Sequence, residues 1–186
     1  PREASAKPTG TTHVSVVDAD GAAVGISSTL GSGSGVFRHG FQLNNMLGEL
    51  DVIGTEDRDP GTRLPSMMSP TLVLDEGAPR LVVGSAGSVR LAGAILQVVA
   101  AVVRQGLTVE EAIARARLHV DGDRVHVEGG WPDGVADALA EEGFDVVRWD
   151  ARNLFFGGAS AVERRSAATL GAAGDPRRGG HGVVVP

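Results

Sequence analysis

Gly10, Thr11 and Thr12 stand at the head of an apolar stretch, Thr11 to Val17 (TTHVSVV), and another threonine, Thr29, closes the next such stretch. A threonine hydroxyl is a useful nucleophile only when a base takes its proton. The most local base is its own α-amine, present when the threonine is the first residue of a chain. That amine titrates at about 8, suited to proton transfer near neutrality. The chemistry requires cleavage of the Gly10–Thr11 bond, and Gly10 leaves that peptide sterically open. Other chemistries find less support. There is no cysteine, so thiolate nucleophiles, thiolate metal sites and disulfides are excluded. His13, His39, His119, His126 and His181 form no HExxH or close pair, no G-x-S-x-G elbow occurs, and no Gly-rich stretch matches a phosphate-binding loop. No metal or other cofactor is implied.

The elements that must hold these hydroxyls can be read from the same pattern. His13–Val17 and residues 22–30 read as two strands around Asp18-Ala19-Asp20-Gly21. With Asp20-Gly21 as a two-residue turn, Thr12 falls opposite Thr29, and Thr11 becomes its diagonal neighbour within side-chain reach. Thr71–Asp75 and Arg80–Gly84 predict a second hairpin around Glu76-Gly77. Leu91–Val103 predicts a buried helix, since about thirteen apolar residues between Arg90 and Arg104 fall short of the roughly twenty that a membrane span needs. Thr108 and Glu111 form a capping box for a helix over 109–116, and another helix is expected over 133–142, ending at Gly143. Short strands are expected at 145–148, 159–163 and 182–185. Strand pairs followed by helices and more strands predict an α+β fold, an antiparallel sheet packed with helices.

The 186 residues carry 23 acidic and 17 basic side chains, a net charge of −6, with the few basic pairs far apart. Nucleic-acid binding is therefore not expected. Residues 1–10 (PREASAKPTG) read as a flexible tail and 11–186 as one domain. The chain opens at Pro1 without a signal-peptide pattern, so localisation depends on sequence upstream: periplasmic or secreted with a signal peptide, cytoplasmic otherwise.

Five blocks lie in order along the chain: TTHVSVVD from Thr11, LNN at Leu43–Asn45, RLPSMMSP at Arg63–Pro70, GSAGSVR at Gly84–Arg90, and GDPRRGG at Gly174–Gly180. Together they resemble the small subunit of γ-glutamyltranspeptidases, enzymes of the N-terminal-nucleophile hydrolase superfamily. The resemblance implies an αββα sandwich of which this chain supplies the C-terminal part, the larger N-terminal part of the same precursor being its partner. It implies a γ-glutamyl hydrolase or transferase acting on glutathione-like γ-glutamyl amides, with water or an amine as acceptor, and self-cleavage between Gly10 and Thr11. Thr11 corresponds to the nucleophile and Thr29 to the threonine that hydrogen-bonds it. Gly87 and Ser88 correspond to the paired glycines whose N–H groups form the oxyanion hole.

The substrate-binding positions depart from the family pattern. Gly31 stands where an asparagine is usual, and Glu49 stands in place of an aspartate that holds the substrate α-amine. Met46 replaces a glutamine or glutamate, and Met67 replaces the second of two serines that bind the α-carboxylate, leaving Ser66; Asn45 completes the set. An arginine for that carboxylate belongs to the large subunit. The segment between Glu49 and Arg63 is short for a lid. These departures leave two alternatives open: a cephalosporin-acylase-like amidohydrolase acting on another acyl amide, and a non-catalytic relative or unprocessed fragment. Asp175 is expected to fix its turn, paired with Arg177 or Arg178, and His13 is expected to be structural.

Overall fold

A computed structural model describes residues 10–31 and 33–185. The expected tail, residues 1–9, lies outside the described residues. In chain order the strands are β1 (Thr11–Val17), β2 (Ala23–Thr29), β3 (Phe37–Arg38), β4 (Phe41–Gln42), β5 (Thr71–Asp75), β6 (Ala78–Ala86), β7 (Leu118–Asp121), β8 (Arg124–Val127), β9 (Asp145–Arg148), β10 (Gly158–Ser166) and β11 (Thr169–Gly174). The helices are α1 (Leu50–Ile53), α2 (Leu91–Gln105), α3 (Val109–Ala114) and α4 (Val135–Glu141).

The centre is an antiparallel sheet ordered β11-β10-β6-β5. From Leu81 to Ala86 β6 is buried on both faces, and its centre, Leu81-Val82-Val83, is accordingly apolar without alternation. Leu81 and Val83 pack with Ala159 and Ala161 of β10 against Ile95, Val98 and Val102 of α2 and Val109 and Ile113 of α3. On the other face lies the β1–β2 hairpin, giving three layers: helices, sheet, hairpin. By length and composition Ser88–Gln105 would suffice to cross a membrane. Here its apolar stripe packs on the sheet instead. Left-handed Gly106 (φ 69°) ends α2, with Leu107 N–H bonded to Ala101 O.

The hairpin face turned toward the sheet is polar. His13 is buried there, with Nδ1 2.8 Å from Ser27 Oγ and Nε2 2.9 Å from Ser15 Oγ. Gly84 makes room for the ring, since a Cβ there would lie 2.2 Å from His13 Nδ1. Ser160 Oγ donates to His13 O at 3.0 Å, tying β10 to β1. Burial holds the His13 pKa below its usual value and so favours the neutral ring. The opposite face carries Val14, Val16, Val24 and Ile26, all exposed.

Several expectations need correction. The first hairpin turns through three residues, Ala19-Asp20-Gly21, with Asp18 N–H bonded to Ala22 O, Ala22 N–H to Asp18 Oδ1, and Gly21 at φ 89°. This is a type I turn with a glycine bulge rather than a two-residue turn, and it shifts the register by one. Thr11 therefore pairs directly with Thr29, and Thr12 with Ser28. The second hairpin does turn at Glu76-Gly77, both left-handed. The capping box of α3 forms, but the helix stops at Ala114, because Arg177 takes the carbonyls of Ile113 and Arg115. α4 begins only after left-handed Gly134. Residues 182–185 form no strand; Gly182 lies close against the Ala172 backbone while Val183–Val185 are exposed. Strands β3, β4, β7, β8 and β11 were not expected, and β8-α4-β9 adds a parallel pair beside the antiparallel β7–β8 hairpin.

Candidate active site

A cavity of about 620 Å³ opens where the ends of β1, β2 and β6 meet. Thr11 and Thr29 line it, their hydroxyl oxygens 2.8 Å apart, and either can donate. Thr29 Oγ1 also accepts from Gly31 N–H at 3.0 Å. Both side chains are half-buried on the sheet-facing side of the hairpin. The Gly10 carbonyl accepts from Leu30 N–H at 2.8 Å, which extends the ladder past Thr11 and polarises the carbonyl of the peptide bond preceding it.

β6 delivers Gly87 and Ser88 to the same cavity. Gly87 has φ 141°, and a Cβ on it would meet Gly157 Cα at 2.8 Å. Gly157 is left-handed in turn, its missing Cβ facing Ala86 O at 2.7 Å. Two glycines are thus required for the ends of β6 and β10 to close on each other. Among the described residues, the Gly87 and Ser88 N–H groups donate to no protein acceptor. Ser88 is held at φ 53°, a conformation that costs an L-residue roughly 1 kcal/mol relative to glycine. Ser88→Gly is expected to raise stability by up to about 1 kcal/mol in urea unfolding; a loss of stability would show that the serine side chain is needed there.

Gly31, Met46, Glu49, Ser66 and Met67 also line the cavity. Asn45 does not: its N–H bonds to Leu30 O, it bridges Gly31, and its amide lies over Gly48. Asn44 makes a local bond from Met46 N–H to its Oδ1. Gly31 is left-handed (φ 61°), and a Cβ on it would stand 2.9 Å from Asn45 O. An asparagine there would require the Asn45–Met46 backbone to shift. Gly31→Asn is expected to lower the melting temperature by several degrees, from a clash plus strain of about 1–3 kcal/mol, without tightening substrate binding. An unchanged melting temperature would mean that the 29–46 loops yield.

Arg90, Leu91, Val52, Met68, Asn153, Leu154, Phe155 and Arg178 complete the lining and were not expected as site residues from sequence, Arg178 having been considered only as a partner for Asp175. Arg90 and Arg178 stood within the quoted blocks. Asn153-Leu154-Phe155 follows a polar loop, and its aromatic doublet before Gly157-Gly158 was the available signal. Phe155 stacks on Trp149 and carries the Arg90 guanidinium 4.6 Å from its ring centroid.

A buried charge network fixes this side of the cavity. Asp175 pairs with Arg117 at 2.6 Å and with Arg177 at 3.1 Å, and Arg177 also grips Glu128. Asp175 further accepts from Ala159 N–H and Arg177 N–H, and Glu128 from Arg117 N–H and Asn153 N–H. Of the two expected partners, Arg177 is the one that meets Asp175.

The family model described as Gamma-glutamyltranspeptidase matches residues 1–185. A "Glutathione hydrolase proenzyme" of Pseudomonas aeruginosa is 33% identical over 200 residues, covering 96% of this chain and 35% of that protein. "Acylase ACY 1 proenzyme" of Pseudomonas sp. (strain SE83) is 29% identical over 147 residues, covering 74% of this chain and 26% of that protein. The chain thus spans about a quarter to a third of the length of these curated relatives. Among solved structures, a chain of "Gamma-glutamyltranspeptidase from Pseudomonas nitroreducens complexed with L-DON" superposes with a TM-score of 0.80 at 32% identity, covering 95% of this chain and 100% of that one. The mixed α/β fold is that of such N-terminal-nucleophile hydrolases.

Proposed function

The chain belongs to the γ-glutamyltranspeptidase family, and from that premise we propose that it is the nucleophile-bearing part of an N-terminal-threonine amidohydrolase or transferase acting on γ-glutamyl amides. The observation that carries the reading is the 2.8 Å contact between the Thr11 and Thr29 hydroxyls at the mouth of a cavity that Gly87 and Ser88 also line.

In the precursor, the Thr11 hydroxyl attacks the Gly10 carbonyl carbon, the C–N bond breaks, and water hydrolyses the resulting ester. Gly10 leaves as a carboxylate and Thr11 gains a free α-amine. That amine then takes the Thr11 proton as the hydroxyl attacks the γ-carbonyl of a substrate amide. Gly87 and Ser88 N–H groups hold the oxyanion, the departing amine receives the proton, and water or an acceptor amine releases the acyl group. Thr29 orients the attacking hydroxyl. Glu49 meets the substrate α-amine, and Ser66 its α-carboxylate, together with an arginine from the larger N-terminal part. Asn45 positions Gly31 through its backbone. That larger part covers the Val14, Val16, Val24 and Ile26 face and completes the αββα sandwich, with 11–186 as one unit.

The lining favours a second reading. Met46, Met67, Met68, Val52, Leu91, Leu154 and Phe155 make most of the wall apolar, which suits an acyl group larger and less polar than γ-glutamyl, as in an acylase. One experiment tests the mechanism and sorts the acyl groups. The processed protein is acid-quenched during turnover of a γ-glutamyl anilide or of a bulky apolar acyl anilide, then weighed by mass spectrometry. The expected result is the γ-glutamyl mass on the fragment that begins at Thr11. An adduct only from the apolar donor transfers the assignment to the acylase reading, and no adduct from either donor removes both.

A further inference from the structure

The chain holds three methionines and no cysteine, and all three sulfur atoms belong to side chains that line the cavity at Thr11. Met46 comes from the turn after β4, where Asn44 Oδ1 accepts its N–H at 3.3 Å. Met67 and Met68 come from the segment ahead of β5. Neighbouring residues of a strand would point to opposite faces. Here the backbone is irregular, with Ser66 Oγ accepting from Met68 N–H at 3.2 Å, and both side chains reach the cavity. Each of the three methionines is half-buried, so the thioethers are open to solutes that enter. With Val52, Leu91, Leu154 and Phe155 they form the apolar part of a wall whose charged members are Glu49, Arg90 and Arg178.

A thioether differs from the other apolar side chains of this wall in one respect: it becomes polar without being replaced. The sulfur lone pair attacks one oxygen of hydrogen peroxide, and an S–O bond forms as the O–O bond breaks. The transferred oxygen gives its proton to the departing hydroxide, which leaves as water. Sulfur loses two electrons and the peroxide gains them. The product is a sulfoxide, a polar acceptor on a side chain that was apolar, and sulfoxide reductases return it to the thioether. An apolar acyl group must then strip water from these oxygens, whereas the ammonium of a γ-glutamyl group can donate to them. We propose that Met46, Met67 and Met68 are a reversible oxidation site inside the acyl pocket, through which hydroperoxides turn donor preference away from apolar acyl groups and toward γ-glutamyl. This rests on the reading of Thr11 as the nucleophile of that pocket.

The test treats the full, processed protein with hydrogen peroxide and weighs its peptides to locate the added oxygen. The ratio of kcat/KM for a phenylacetyl anilide to that for a γ-glutamyl anilide is expected to fall roughly tenfold, chiefly through a higher KM for the apolar donor. Methionine sulfoxide reductases are expected to restore it. In the Met46→Leu, Met67→Leu, Met68→Leu triple variant, whatever its starting ratio, peroxide is expected to leave that ratio where it was. The proposal is overturned by a constant ratio once the three sulfoxides have formed, by thioethers that resist doses oxidising free N-acetylmethionine, or by a fall that persists in the triple variant. A binding arm separates this from failure of the catalytic reading. Calorimetry of phenylacetate, the acid that the apolar donor would release, is expected to show roughly tenfold weaker binding after peroxide. Equal affinity, or no binding before treatment, overturns the oxidation site, whereas untreated protein that binds phenylacetate but turns over neither donor counts against the nucleophile alone.

Discussion

Thr11→Ala in the full precursor is expected to leave the Gly10–Thr11 bond intact and to cut turnover by about 10⁴-fold or more. One substitution removes two functions. The hydroxyl that attacks the Gly10 carbonyl is lost, so the α-amine is never released and its nitrogen stays an amide with no basicity at neutral pH. The hydroxyl that attacks substrate is lost with it. Intact-mass and N-terminal sequence measurements on native and variant proteins separate these losses: a new terminus at Thr11 appears only in the native protein. Thr11→Ser keeps an oxygen within reach of Thr29 Oγ1, now 2.8 Å from the threonine oxygen, and is expected to process and turn over more slowly than the native protein. If Thr11→Ala still cleaves at Gly10–Thr11, another nucleophile or a protease makes the cut. Thr11 would then be an ordinary strand residue.

The second large effect is in stability. Arg117, Glu128, Asp175 and Arg177 have side chains no more than 3% exposed and are linked in one network. Removing one member leaves another charged, buried and unpaired, and Arg177→Ala is expected to cost roughly 3–5 kcal/mol in urea unfolding. The loss extends past the pair, because Arg177 also holds the last carbonyls of α3 and Glu128 holds the Asn153 N–H beside the cavity. Replacing Arg177, Glu128, Asp175 and Arg117 together with apolar residues of similar size is expected to recover much of the stability that the single substitution loses.

Acid supplies an independent check. Burial alone raises the Asp175 pKa, but the charge of Arg117, the N–H groups of Ala159 and Arg177, and the charge of Arg177 outweigh it and hold the carboxyl below its ordinary value of 3.8. A depressed native pKa means that the unfolded chain binds the proton more readily. The stabilisation is therefore present above about pH 4 and is lost as pH falls through the native pKa. Asp175→Asn is expected to flatten that part of the stability profile. A change below about 1 kcal/mol in Arg177→Ala, or an unaltered acid profile in Asp175→Asn, would sink the network as a stabilising unit.

Local chemistry carried much of what could be read in advance. The threonines, the Glu76-Gly77 turn, the Thr108–Glu111 capping box and the apolar run of α2 are decided by residues near each other in sequence, so their signals survive without the fold. The first hairpin shows how fine that margin is. Asp-Gly was recognised as the turn, but three residues span it, closed by the Asp18 N–H to Ala22 O, Gly21 N–H to Asp18 O and Ala22 N–H to Asp18 Oδ1 bonds, and the one-residue difference makes Thr11 a direct rather than a diagonal partner of Thr29. Ser88 illustrates the converse, since only the backbone shows that a serine there is held in a glycine conformation.

The sequence by itself determined the chemistry available: hydroxyls without thiols, a glycine before the candidate nucleophile, and five blocks whose order assigned each residue a place. Tertiary structure alone decided which of them share a cavity, and it added Arg90, Phe155 and Arg178 from segments far apart in the chain. It also ended α3 early, because a buried arginine from the last motif needed the carbonyls that another helical turn would have used. Local pattern records what a segment prefers when alone. The Asp175–Arg177 pair falls within one motif, but the pairs of Arg117 with Asp175 and of Arg177 with Glu128 join distant segments, and no short window of sequence contains both of those partners.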